Sequence, residues 1–312
     1  MSAMIPAQSA FSLKGIGMLL RLVAVVFSSV ATILSTLLPL IFYYQISWLT
    51  LLGTTSVLLV GAILIHGVLT HVLNDIADHQ SGTDQYSPGI LSGGSRVIQT
   101  NTMTITMLKQ LGALMSVFLI LMAFLFTIFG YLEFAILTLV GIWGAVSYSL
   151  KPFQFAYIPF IGEWFSLFPT MLAIAIALPW IMLESIPVWA WQNALVNAVW
   201  CMAWVMFHHI PDRHADQKAK PMKRTSVVWA VERMGTKGAK FPVLLYFMIV
   251  GLLFIWIACT RPIAAIGVGM ILVYAIRIVL RVNGENVEEL TAVEKRLLCL
   301  ALAIAIWLGI FV

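Results

Sequence analysis

Charged side chains are scarce in this sequence: 10% of its residues are Asp, Glu, Lys or Arg, against 61% hydrophobic. A soluble globular domain carries about a quarter of its residues as charges, so the composition excludes one and indicates an integral membrane protein. Cysteine is nearly missing too. The three present, Cys201, Cys259 and Cys299, lie in apolar runs without metal or redox spacing, which excludes a thiolate site and leaves them as small apolar fillers. Short segments of alternating polarity are absent, which excludes a transmembrane β-barrel and leaves helices as the spanning elements. No polar stretch is long enough to form a soluble domain with a groove, and the net charge of +5 is spread over membrane-proximal loops. The basic balance therefore points to anionic lipid and an anionic substrate rather than nucleic acid. The first apolar run, flanked by Lys14 and Arg21, is too long for a signal peptide and lacks a convincing small-residue cleavage site, so it reads as a retained helix.

A helix needs about 20 apolar residues to cross the hydrocarbon layer. Nine segments approach that length, at 20–43, 47–73, 107–129, 132–150, 160–183, 187–209, 241–260, 262–281 and 292–312. The expected fold is thus all-α integral membrane, nine transmembrane helices in a single domain spanning 1–312, with the termini on opposite sides. With the amino terminus inside, every Lys and Arg except Arg261 falls on or near the cytoplasmic side, as the positive-inside rule requires. The expected location is a bacterial or archaeal cytoplasmic membrane. The outer connections are very short. Three inner ones, 74–106, 210–240 and 282–291, are long, and loops of that length in a compact protein are usually functional.

All five aspartates fall in two places: Asn74-Asp75-Ile76-Ala77-Asp78 with Asp84 just beyond, and Asp212-Arg213-His214-Ala215-Asp216. Each cluster follows a long apolar stretch and opens one of the two longest inner loops. A carboxylate at a bilayer edge is costly without a partner, so this concentration implies a shared cation; the rival explanation is solvated loop carboxylates at a membrane surface. On a helix, Asn74 and Asp78 lie on one face, as do Asp212 and Asp216. Two such faces opposed across a bundle suit a hard cation such as magnesium that shares a substrate phosphate. Diphosphate fits as a leaving group, because its charge grows as the bond breaks and fixed cations stabilise that charge. The first loop also carries Ser81-Gly82-Thr83, Pro88-Gly89 and Ser92-Gly93-Gly94-Ser95-Arg96, where backbone amides can approach an anion; the second carries Lys218, Lys220, Lys223 and Arg224. Placement of the clusters hints at two related four-helix halves, helices 1–4 and 5–8, plus a final helix.

The strings NDIADHQSGTDQYSPGILSGGSRVI (74–98) and PDRHADQKAKPMKRT (211–225) resemble the two aspartate-rich motifs of the UbiA superfamily of intramembrane prenyltransferases. SGGSRVI and KRT are most similar to the branch that contains the menaquinone-pathway dihydroxynaphthoate prenyltransferases. The resemblance covers the whole membrane region. It implies a bundle around a central cavity capped by cytoplasmic loops, two magnesium ions, and a prenyl diphosphate whose tail runs toward lipid. By position it makes Asn74, Asp78, Asp212 and Asp216 metal-diphosphate residues with Asp75 and Asp84 in support, and Asp78 and Asp212 the catalytic pair. Tyr148-Ser149-Leu150-Lys151 resembles the family's stretch at the end of helix 4, where Lys151 would contact diphosphate. Arg96, Lys223, Arg224 and Arg21 are further diphosphate candidates; their rival role is positive-inside anchoring. Tyr148 and Tyr157 would stabilise an allylic cation through their ring faces, or serve as interfacial aromatics. Glu163, opening the fifth helix, is a candidate to orient the acceptor. Glu133 and Glu184 sit on the opposite side and receive no role.

His208 and His209 depart from the family pattern and read more readily as structural partners than as proton acceptors. The stretch from Asp216 to Lys223 is also longer and poorer in glycine than usual. His66 and His71, five residues apart, fall on different faces of an α-helix, which argues against a histidine metal site. The resulting expectation is magnesium-dependent transfer of a polyprenyl group to an aromatic acceptor in menaquinone-like quinone synthesis. Its rivals are a terpene cyclase on the same scaffold, which needs no acceptor, a prenyltransferase acting on another acceptor, and a non-enzymatic carrier of a cation or lipid phosphate.

Overall fold

The computed structural model describes residues 13–88, 91–183 and 185–312; Gly89 and Glu184 lie outside the described residues. All regular elements among the described residues are helical. Eight helices are long and apolar enough to cross a membrane: α1 Lys14–Tyr43, α2 Trp48–Ser81, α3 Ile105–Ile128, α4 Leu132–Ser149, α5 Glu163–Met182, α6 Val188–Lys218, α7 Thr236–Thr260 and α8 Pro262–Arg281. The chain is an integral membrane protein. The last expected segment falls in a ninth long helix, α9 Val287–Ile310, which differs in composition. Glu288, Glu289, Glu294, Lys295 and Arg296 occupy its first three turns. Its apolar part, residues 297–310, is about 21 Å long against roughly 30 Å of hydrocarbon.

Both aspartate clusters, expected to open loops, instead ride on the last turns of helices, because α2 runs on to Ser81 and α6 to Lys218. Gly82 sets the end of α2: its φ of +79° is the left-handed conformation in which glycine closes a helix, and its N–H donates to His79 O at 3.3 Å.

Packing is uneven. In α6, 78% of the most apolar window is buried, against 17–56% in the other seven spanning helices, so α6 is the axis of the bundle. Ala190, Ala194 and Ala198, all fully buried, form a small-residue stripe that lets neighbouring backbones approach closely. Trp200, Phe207, Tyr246, Phe247 and Leu297 fill the core that α6 shares with α7, α8 and α9. On the outer faces of the bundle, Leu114, Val117 and Leu121 of α3 and Met270 and Val273 of α8 are exposed, as expected of surfaces solvated by lipid. Arg261, between α7 and α8, is buried and donates to Asn193 Oδ1 at 2.8 Å, Leu308 O at 2.7 Å and Phe311 O at 3.0 Å. It ties α6 to the end of α9.

Three π-turns interrupt the spanning helices, at Val26–Val30, Ile63–Thr70 and Glu163–Leu167. Arg21, with φ +43°, adds a break near the start of α1.

Candidate active site

The ends of α2 and α6 meet, with Lys220 N donating to Ser81 O at 2.8 Å, and the segment between α2 and α3 folds across both. His71, Asn74 and Asp78 form a stripe along α2; His208, Asp212 and Asp216 form one along α6. All six line a single cavity of about 640 Å³, joined at its polar mouth by Asp84, Gly93, Gly94, Tyr148 and Lys223. Deeper, the wall is apolar, with Leu58, Ile65, Leu119, Phe134 and Ile174. Lining residues come from α1 to α6 and the loops beside them, and none of the described residues of α7, α8 or α9 takes part. The cavity is therefore walled by the first six helices and the loops beside them.

Two of the aspartates clamp the glycine-rich loop. Asp212 Oδ1 accepts from Ser87 Oγ at 2.6 Å and Ser92 Oγ at 3.1 Å, and Asp212 Oδ2 from Gly93 N at 3.0 Å. Asp75 accepts from Ser95 N at 3.1 Å and from Ser95 Oγ, and it does not line the cavity. Between these anchors the backbone of Gly94 presses on the carboxylates: a Cβ there would stand 2.9 Å from Asp75 Oδ1 and 3.2 Å from Asp84 Oδ1, at a φ of +74°. Only glycine fits. The serines were not singled out from the sequence as aspartate partners, although Ser87, Ser92 and Ser95 share the loop with the glycines.

The other three aspartates line the cavity. Asp78 pairs with Lys223 Nζ at 2.7 Å and accepts from Asn74 Nδ2 at 2.9 Å. Asp84 Oδ2 accepts from Gln99 Nε2 at 2.9 Å while its Oδ1 is buried without a partner, and Asp216 Oδ2 is likewise orphaned, 3.7 Å from His209 Nδ1. Burial, reinforced by Asp78 and Asp75, pushes the Asp84 carboxyl up to about 7. Lys223 behaves oppositely: burial alone would lower its ammonium, but Asp78 and Asp216 hold it well above the usual lysine value.

These observations test the site for a cation. Buried carboxylates with orphaned oxygens converge at one mouth, so the donor set fits a hard divalent ion. Among the described residues no group of three His, Cys, Asp or Glu side chains can hold an ion by itself. Phosphate oxygens and water would have to complete any coordination shell.

The remaining candidates divide. Arg21 reaches the site, donating to Leu91 O at 2.5 Å and lying 3.4 Å from His208 Nε2; His208 Nδ1 is in turn 2.5 Å from the buried Glu294. Tyr148 lines the cavity, its hydroxyl 3.2 Å from His209 Nε2. Tyr157 lies outside the lining, with its ring 5.9 Å from Lys223 Nζ. Arg96 turns to Asp84 O at 2.9 Å, Arg224 pairs at the surface with Glu232 at 2.7 Å, Lys151 is exposed, and Glu163 is buried against Ser226, whose hydroxyl donates to it at 2.5 Å. None of these four lines the cavity. The expectation that His66 and His71 face apart is overturned. Both line the cavity, with ring centroids 5.4 Å apart, because the π-turn Ile63–Thr70 lies between them.

No curated protein and no solved structure matches the chain. The model of the UbiA prenyltransferase family matches residues 33–293, a span that contains both aspartate clusters, the glycine-rich loop and Lys223. Family membership makes the chain a membrane prenyltransferase and sets aside the carrier: the protein belongs to the UbiA prenyltransferase family.

Proposed function

We propose that this enzyme moves a polyprenyl group from its diphosphate to an aromatic acceptor of the dihydroxynaphthoate kind, in menaquinone-like quinone synthesis, with two magnesium ions at the cavity mouth. One observation carries the reading: two acidic stripes from distant helices and a glycine-rich loop meet at a polar end of a largely apolar cavity. Asn74, Asp78, Asp84, Asp212 and Asp216 are the residues that would hold the ions, with Asp75 in support as the loop's second anchor. Magnesium, when bound, neutralises the charge that grows on the departing diphosphate. Lys223 and Arg21 supply fixed positive charge beside it, and the apolar wall excludes water from the allylic carbon. Tyr148, which lines the cavity, would stabilise an allylic cation through its ring face. Lys151, exposed, and Arg224, half-buried and paired with Glu232, suit anchoring at the membrane surface better than substrate contact.

In this reading the single domain has its amino terminus and site loops on the cytoplasmic side, and α9 completes nine crossing helices with its charged first turns at that surface. The decisive assay gives purified protein a panel of prenyl diphosphates with and without aromatic acceptors, in magnesium and in chelator. Prenylated acceptor formed only with magnesium supports the proposal. Cyclic hydrocarbon from prenyl diphosphate alone, or turnover undiminished by chelator, refutes it.

A further inference from the structure

Helix α2 carries its one irregularity where it crosses the cavity wall. On an α-helix, residues five apart diverge by about 140°. Over Ile63–Thr70 the hydrogen bonds step to the fifth residue, which widens the turn and brings such residues onto one face; insertions of this kind recur at functional sites. Here the widened turn stacks His66 and His71, with ring centroids 5.4 Å apart and planes at 45°. Two imidazoles within a membrane span are costly unless something uses them.

Each ring is fixed at its back edge. Ser29 Oγ lies 2.8 Å from His66 Nδ1, and His71 Nδ1 is 3.1 Å from Gly67 O. A carbonyl oxygen only accepts, so His71 Nδ1 carries the proton and, in the neutral ring, Nε2 presents a lone pair. That nitrogen has no hydrogen-bond partner among the described residues, although His71 is only 6% exposed and lines the cavity. One unused acceptor thus borders the cavity space. His71 precedes Asp78 by seven residues, about two turns or roughly 10 Å of helix, which puts that space just below the diphosphate end of the site.

We propose that His71 Nε2 accepts a hydrogen bond from a ring hydroxyl of the acceptor, so that a free hydroxyl is a condition of acceptor recognition. His66 and Ser29 position the His71 ring. The inference rests on the aromatic-acceptor reading above.

The test compares binding of 1-naphthol and its methyl ether to the purified full chain in lipid nanodiscs. Wild type is expected to bind the naphthol about tenfold tighter, the factor one such hydrogen bond supplies. His71→Gln keeps an acceptor oxygen at similar reach and keeps the preference. His71→Leu abolishes it, and His71→Asn, too short to reach, does the same should the leucine variant fold poorly. Equal binding of the two probes to wild type overturns the proposal, as does a tenfold preference that survives in both the Leu and Asn variants. Prenyl transfer to 1-naphthol is measured in parallel. A preference that tracks His71 without any transfer to a phenolic ring refutes the acceptor class proposed above and leaves the hydroxyl site standing.

Discussion

Replacing Lys223 with Met removes an ammonium while keeping most of the side-chain volume. Lys223 is 4% exposed and Asp78 5%, and their charged atoms are 2.7 Å apart, so the variant leaves a buried carboxylate without its counter-charge. Breaking a buried pair in this way costs about 3–5 kcal/mol, whereas replacing both members together costs far less. Asn74 still donates to Asp78, which places the expected loss near 3 kcal/mol. The double variant Lys223→Met with Asp78→Asn should then be more stable than Lys223→Met alone, giving a coupling energy of roughly 2–3 kcal/mol. The assay is denaturant unfolding in detergent followed by tryptophan fluorescence, in chelator and in excess magnesium with inorganic diphosphate. Magnesium should return part of the loss to Lys223→Met, because a cation on Asp78 replaces the missing ammonium. Because Asp78 and Asp216 hold the folded Lys223 high despite burial, the pair's contribution is fully present at neutral pH. It disappears only as pH rises past the ordinary lysine range. A Lys223→Met protein within about 0.5 kcal/mol of wild type in chelator, or a double variant equal to the sum of the singles, would refute the reasoning.

Asp212→Asn keeps one acceptor oxygen where three donors now converge; turnover should fall by about a hundredfold or more, read as magnesium-dependent diphosphate release. Gly61 lines the cavity, and a Cβ added there meets nothing within 4 Å, so Gly61→Leu should fold and should lower kcat/KM for a long prenyl diphosphate more than for a short one. Arg261→Met removes the tie between α6 and α9 and should cost about 1.5–3 kcal/mol in the unfolding assay while leaving KM for both substrates unchanged. In chelator, the raised Asp84 carboxyl, at about 7, contributes stability that is full below the unfolded carboxyl's ordinary range and lost as pH rises through 7. Melting curves between about pH 5 and pH 8 should show this fall, and Asp84→Asn should flatten it.

The apolar runs located all eight spanning helices, since bilayer thickness fixes their apolar length, but not their polar ends: α2 runs eight residues and α6 nine residues past the expected 73 and 209. The sequence also singled out every aspartate, because an unpaired carboxylate beside an apolar run is conspicuous by its cost. What each aspartate does was not legible. Asp75 and Asp212 look like Asp78 in a string, yet they bond to serines and amides of a loop whose path depends on two helices meeting. Lys151 and Lys223 are equally basic in the sequence, and only the fold buries one and exposes the other. The His66 and His71 pair was misjudged for a specific reason: the 3.6-residue period assumed for α2 fails over one π-turn, and no residue there announces it.

The confinement of the cavity lining to the first six helices divides the labour of the chain. The final three helices, from 236 onward, touch no substrate space among the described residues, and they reach it indirectly, through Glu294 behind His208. A chimera that exchanged this carboxy-terminal third for that of another family member, retaining an acid at position 294, should therefore inherit the recipient's choice of tail and acceptor. Diversification of chemistry can proceed in the first two thirds while the rest is free to adapt to whichever membrane the enzyme inhabits.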